Sequence, residues 1–329
     1  MNNSQPLIYG IGNPLIDVLI YADDIDLKEL RMDKGVMHLV DEGRQYEIQS
    51  YFQDHKSIYH PGGSAPNTMV ACAGLGVEAL IAGKIGRDDF GRTYVQQVEK
   101  YGVFSGLVKG DGPTGSSIIL VTPDGERTMN THLGMCREFS KIDIDEKKLS
   151  KSKFFYFTGY MWDTESQKEA IKVAIKIANE NNVKIVFDVA DPFAVDRNKE
   201  SFLELISKHV DVLFANQLEL SILFGTEDYF KSSGALADMV NVAGIKLGKK
   251  GSLVLENGEQ TLIPPQPISA TDSTGAGDMY AAGFLTSLAR GSSPQRAGEV
   301  GGLLAEEIIN KTGAQFDIEE IKTIRHSLF

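Results

Sequence analysis

The chain has 329 residues, 42% of them hydrophobic and 24% charged, and its 33 basic against 45 acidic side chains give a formal net charge of −12. That length allows one large α/β domain or a core with an appendage, and the composition is that of a globular protein. The acidic balance removes the general electrostatic footprint for nucleic acid, and no stretch approaches the roughly 20 apolar residues that span a bilayer. Two cysteines, Cys72 and Cys136, make neither a disulfide framework nor a metal spacing.

The N-terminal stretch MNNSQPLIYGIGNPLIDVLIY has no basic region followed by a cleavage site, and Gly10, Gly12, Pro14 and Asp17 interrupt its apolar run. No export signal is read, so the cytoplasm is the expected compartment. Taken in order, LIYGIG from residue 7, EALIAGKIG from 78, KFFYFTGY from 153, KIVFDVAD from 184 and VDVLFAN from 210 predict buried strands. Residues 64–75, 89–101, 164–182, 217–224, 275–289 and 294–310 predict helices. Such alternation predicts an α/β fold, a mostly parallel sheet with helices on both faces.

Two regions break the rhythm. Residues 15–61 hold short strand-like pieces (DVLIYA, GVMHLV, SIYH), and 114–131 read as a hairpin around Pro123-Asp124-Gly125. Taken as excursions at about 15–61 and 104–134 from a single domain of 1–329, they predict a small β-sheet lid over the end of the main sheet; ordinary surface hairpins are the alternative. No internal repeat is present, and residues 310–329 predict a loop and a closing amphipathic helix.

The stretch DSTGAGD, 272–278, sets small residues between two acids where a helix begins. The first amides of a helix lack intrahelical partners and carry about half a positive charge, so bare backbone there is an anion cradle. Asp278 then either compensates the dipole or acts as a general base beside a phosphoryl group. Neither a Walker A string nor a G-x-G-x-x-G fingerprint occurs: Lys84 in GKIGRDDFGRT follows the wrong glycine, and Pro14 and Leu15 interrupt GIGNPLID.

DSTGAGD resembles the C-terminal signature of the ribokinase (PfkB-type) carbohydrate and nucleoside kinases, and HPGGSAPNT, 60–68, resembles their N-terminal diglycine motif. The resemblance covers about residues 7–316. ANQLE, 215–219, is similar to the family's N-x-x-E motif and KLGKKGSLV to its nucleotide-binding turn, while GIGNPLIDV, PTGSS, DGERTMNT and KTGAQF are similar to the adenosine kinase branch. The resemblance implies a ribokinase-like, doubly wound fold and transfer of the ATP γ-phosphoryl group to a hydroxymethyl oxygen, with adenosine as leading acceptor. A sugar such as ribose, fructose or ketodeoxygluconate, or inosine, is the alternative.

In that scheme Asp278 is the base, and the Gly275, Ala276 and Gly277 amides face the phosphoryl oxygens. Asp272 holds the loop or makes an Asx turn. Asn216 and Glu219 contact Mg²⁺ through water or form a helix capping box. An unpaired Asp17 in an apolar run is costly if buried, so it faces water or binds, by resemblance, the vicinal hydroxyls of a ribose. Asn13, Ser64 and Asn67 are pocket positions by resemblance; Gly62 and Gly63 suit a hinge, close approach to a sugar, or a plain tight turn. Arg127 is a solvated turn residue or a lid arginine that reaches the phosphates. Met161 and Trp162 are offered as stacking partners for a base, against the ordinary core role of such side chains. Lys246 departs from a threonine common in relatives, so only Gly248 and Gly251 are assigned to the ATP loop, and Ala314 is placed near the nucleotide or a monovalent cation such as K⁺. Monomer and homodimer both stay open. A nucleotide-binding regulator without turnover is the competitor from another class; a nicotinamide oxidoreductase fits the alternation but lacks the glycine fingerprint.

Overall fold

The computed structural model describes residues 6–266, 273–311 and 313–329. Among these, nine strands form the large sheet: β1 (Ile8–Ile11), β5 (Ala79–Gly86), β6 (Phe104–Gly110), β9 (Phe154–Thr158), β10 (Lys184–Asp188), β11 (Val212–Asn216), β12 (Val242–Lys246), β13 (Ser252–Glu256) and β14 (Glu259–Ile263), in the order β14-β13-β12-β11-β10-β9-β1-β5-β6. All pairs from β6 to β12 are parallel, and β13 and β14 continue the sheet antiparallel. The central strands are buried along their length, as a sheet covered on both faces requires.

One face is covered by α3 (Ser64–Gly74), α10 (Ala276–Ala289), α11 (Pro294–Ile308) and α12 (Ile318–Leu328), whose Met69, Phe284, Val300 and Ile321 pack with Tyr156 and Phe214 of the sheet. The other carries α6 (Glu165–Glu180), α7 (Pro192–His209), α8 (Gln217–Phe224) and α9 (Tyr229–Ala237), packed on Phe155, Phe157 and Phe187. Two further helices, α4 (Asp89–Lys100) and the single turn α5 (Glu146–Leu149), follow β5 and precede β9.

The smaller sheet is β3-β8-β7-β2-β4, from β2 (Leu15–Tyr21), β3 (Met37–Leu39), β4 (Ser57–Gly62), β7 (Ser116–Val121) and β8 (Arg127–His132). It is the expected lid, with one change. Residues 104–110, placed in the second excursion from sequence, form the edge strand β6 in register with β5 (Leu80 opposite Phe104), and the lid strands begin only at Ser116. An edge strand is half exposed and carries no continuous apolar run, so its pairing is not visible locally. Along β2 the side chains alternate: Ile16, Val18 and Ile20 pack beneath α1 (Asp24–Glu29) and α2 (Glu42–Tyr51) with Leu27, Leu30, Ile48 and Phe52, while Leu15, Asp17, Leu19 and Tyr21 line the cleft. No helix of the described residues is long and apolar enough to cross a membrane.

Candidate active site

A cleft of about 1030 Å³ lies between the lid and the C-terminal ends of the parallel strands, where open α/β sheets bind ligands. Its floor is the start of α10. Gly275 caps that helix with φ +76°, and a Cβ there would stand 2.6 Å from Ala314 Cα, so the turn needs bare backbone. Ala276 N–H donates to Ser273 O at 3.2 Å and Met279 N–H to Gly275 O at 2.8 Å. Of the three amides expected to face a phosphoryl group, that of Ala276 is therefore already engaged, while Gly275 and Gly277 both line the cleft.

The Asp278 carboxylate is gripped from the other end of the chain. Ser64 Oγ donates to its Oδ1 at 2.6 Å and Asn67 Nδ2 to its Oδ2 at 2.9 Å. Gln315 Nε2 donates to Asn67 Oδ1 at 2.8 Å and to Pro61 O at 3.1 Å, which orients the asparagine. Gln315 was not singled out from sequence, although it lies in the quoted KTGAQF. Burial pushes the Asp278 carboxyl up to about 6; the Ser64 and Asn67 hydrogen bonds hold it down, Asp188 raises it, and Lys246 lowers it.

On the lid wall, burial pushes the Asp17 carboxyl up to about 7, with Arg127 opposing and Asp278 adding to the rise. The diglycine makes room for this acid: a Cβ on Gly62 would lie 2.2 Å from Asp17 Oδ2, and one on Gly63, at φ +95°, would lie 2.1 Å from Asn13 O. Asn13 lines the cleft with its Oδ1 accepting from Gln167 Nε2 at 2.6 Å. Arg127 opens β8 and also lines the cleft. Leu15, Leu19, Met37, Ile119 and Met129 make the rest of this wall mostly apolar.

At the strand ends, Asn216 caps α8. Its Oδ1 accepts from Glu219 N at 2.9 Å, and the Glu219 carboxylate accepts from Asn216 N at 2.7 Å and Asn216 Nδ2 at 2.6 Å, the capping-box alternative in full. Both residues still line the cleft. Burial pushes the Glu219 carboxyl up to about 7, Lys246 lowering it and Asp188 raising it. Lys246 Nζ lies 3.2 and 3.3 Å from the two Asp188 oxygens. Burial opposes its charge, but the Asp188 and Glu219 carboxylates outweigh that, and its pKa lies above the ordinary lysine value.

Two expectations change. Met161 and Trp162 do not line the cleft: residues 159–162 form a 3₁₀ turn that buries both beneath it, Trp162 donating from Nε1 to Ser201 Oγ at 3.1 Å and stacking with Phe157 at 6.2 Å. Tyr160 is the member of that trio facing the cleft. Gly248 lines the cleft, but Gly251 turns the chain toward β13 against Ile263 O, its N–H donating to Gly248 O at 2.9 Å. Asp272 lies outside the described residues.

Asp278, Asp17 and Glu219 all have folded values above the roughly 4 of an unfolded carboxyl. Stability from such a group is whole below that value and is lost as pH rises through the folded one. The melting temperature of Asp278→Asn should therefore exceed that of the unsubstituted chain at pH 8, and the gap should shrink as pH falls toward 4; thermal denaturation across that range checks it, and a gap independent of pH contradicts it. Gly62→Ala should push the Asp17 carboxyl aside. In the kinase scheme that the sequence resemblance implies, acceptor KM should then rise about tenfold or more with ATP KM little changed, corresponding to about 1.4 kcal/mol of lost binding, and an unaltered acceptor KM would exclude a binding role for Asp17.

The sequence signature of the pfkB family carbohydrate kinases matches residues 44–321. The chain is 33% identical to the solved adenosine kinase of Sinorhizobium meliloti, with a TM-score of 0.91 over 98% of this chain and 99% of that one. It is 25% identical to the adenosine kinase of Schizosaccharomyces pombe over 94% of this chain and 96% of that protein. It is 30% identical to the ATP-dependent ribose-1-phosphate kinase of Halopiger xanaduensis over 77% of this chain and 82% of that one. With its ribokinase-like α/β sheet, its small second sheet and a cleft between them, the chain belongs to the pfkB family of carbohydrate kinases, ATP-dependent phosphotransferases that act on sugars or nucleosides.

Proposed function

We propose that this kinase transfers the γ-phosphoryl group of ATP to the primary hydroxyl of a nucleoside, with adenosine as acceptor. The observation that carries the reading is a half-buried carboxyl, Asp278, at the mouth of a bare helix start and under a lid wall that sets Asp17 beside the apolar Leu15, Leu19, Met37, Ile119 and Met129, with Asp124 and Glu126 at the hairpin turn. A ribose offers its vicinal hydroxyls to Asp17, and the flat base lies against Leu19, Met37 and Met129. The hydroxyl oxygen forms its bond to phosphorus as the bond from phosphorus to the ADP oxygen breaks, and the hydroxyl proton passes to Asp278. Gly277 and the helix dipole stabilise the charge on the transferring oxygens.

Bound Mg²⁺ would neutralise ATP phosphate charge. Its fit to these residues is indirect: both Glu219 oxygens hold Asn216, Asp188 holds Lys246, and no group of three metal-ligating side chains occurs among the described residues. An ion that keeps several waters and rides on phosphate oxygens suits such a site. The seal that α1 and α2 place on the outer lid face supports a monomer, since that apolar face needs no second copy.

The homology to a ribose-1-phosphate kinase favours a second reading, a phosphorylated sugar as acceptor. Such an acceptor would call for clustered basic side chains on the lid, where Arg127 is the one basic residue lining the cleft among the described residues. Mg²⁺-dependent ADP formation should be at least tenfold faster with adenosine than with ribose, ribose 1-phosphate, fructose, inosine or ketodeoxygluconate. A sugar ahead of adenosine would reverse the acceptor assignment, and silence with every acceptor would favour a non-catalytic nucleotide binder.

A further inference from the structure

Lys246 is the last residue of β12, in register with Asn216 of β11, so its side chain leaves the sheet where the strand ends open into the cleft. The ammonium stands among three acids, Asp188, Glu219 and Asp278, each of which acts on its charge. Among the described residues its oxygen contacts, at 3.2 and 3.3 Å, are both to Asp188. An ammonium has three donors, so a hydrogen remains for a ligand.

A second, independent observation shows where that ligand would sit. A Cβ built on Gly277 would come within 3.3 Å of Lys246 Nζ, so the lysine head lies against the second residue of α10, at the mouth of the anion cradle. Lys246, Gly275, Gly277 and Asp278 all line the cleft. A lysine needed only to neutralise Asp188 would have no reason to place its head beside the helix start. An incoming phosphoryl group must also approach past Glu219 and Asp278, whose charges oppose it, and a fixed cation at the cradle offsets that repulsion.

We propose that Lys246 is a catalytic residue of the phosphoryl-transfer step, its ammonium donating a hydrogen bond to an oxygen of the transferring group while a second bond to Asp188 holds it in place. This rests on the phosphotransfer reading of the same site. The lysine keeps its proton throughout: the phosphorus–oxygen bond to ADP breaks, the bond to the acceptor oxygen forms, and the acceptor proton goes to Asp278. Lys246 and Gly277 then form a two-sided anion hole that tightens on the charge as it spreads over the equatorial oxygens.

The test compares Lys246→Met, Asp188→Asn and the double variant by steady-state ADP formation at saturating ATP and acceptor, with a thermal melt of each. Loss of one preorganised donor predicts a kcat about 10²- to 10³-fold lower for Lys246→Met, with acceptor KM changed less than about threefold. The melting temperature lost on stranding Asp188 should return in the double variant, and kcat should not. If Lys246→Met folds poorly, the double variant carries the kinetic comparison alone. Restoration of kcat together with melting temperature would reduce Lys246 to a counter-ion of Asp188, and an undiminished kcat in Lys246→Met would overturn the proposal outright. An unsubstituted chain that forms no ADP with any acceptor removes the kinase reading itself, whereas turnover indifferent to Lys246 removes only this inference.

Discussion

A half-buried carboxylate at the start of a helix is the constraint on which the rest of this molecule turns. Moving the Asp278 carboxyl from 3.8 to about 6 corresponds to roughly 3 kcal/mol against its own charge at neutral pH. That value already includes the opposing hydrogen bonds from Ser64 and Asn67, two side chains that come from more than two hundred residues away in the sequence. The packing of α3 against α10 is therefore also the assembly of the site. Thr68 continues the contact by donating from Oγ1 to Asp278 O at 3.4 Å, and Cys72 Sγ lies 3.6 Å from Ala282 O.

The lid depends on the same junction. Gly62 ends β4 and Gly63 caps α3, so this edge strand of the lid runs directly into the helix that holds Asp278. The diglycine admits Asp17 and Asn13 at close range and connects the lid wall to the helix that holds Asp278 in two residues. Tyr94 of α4 donates from its hydroxyl to Gly62 O at 2.6 Å and fixes the crossing from below. The position of the lid is thereby tied to that of Asp278.

Much of this was legible in the residues because it is written in local pattern. The runs at 7, 78, 153, 184 and 210 became β1, β5, β9, β10 and β11, since strands buried on both faces are nearly continuous apolar runs. Helices such as 64–75 and 217–224 fell within a residue of Ser64–Gly74 and Gln217–Phe224. The diglycine and DSTGAGD were visible because close approach leaves no choice of side chain. Direction within a short turn was not: three consecutive residues, Tyr160, Met161 and Trp162, leave a 3₁₀ turn on different sides, and only the first reaches the cleft. Nor was the partner of β6 visible, because an edge strand is specified by a neighbour more than twenty residues back. Lys246 showed as a departure in sequence, but its nearness to Gly277 exists only once β12 and α10 are folded together.

The central claim is that Asp278 is the base for a nucleoside hydroxyl held under the lid. Its most direct test is a crystal structure of the protein with adenosine and a non-hydrolysable ATP analogue. The account predicts the primary hydroxyl within about 2.6–3.2 Å of an Asp278 carboxylate oxygen, in line with the terminal phosphorus, and the ribose hydroxyls on Asp17. Adenosine bound with its primary hydroxyl turned away from Asp278, or a terminal phosphate lodged elsewhere than the start of α10, would contradict it.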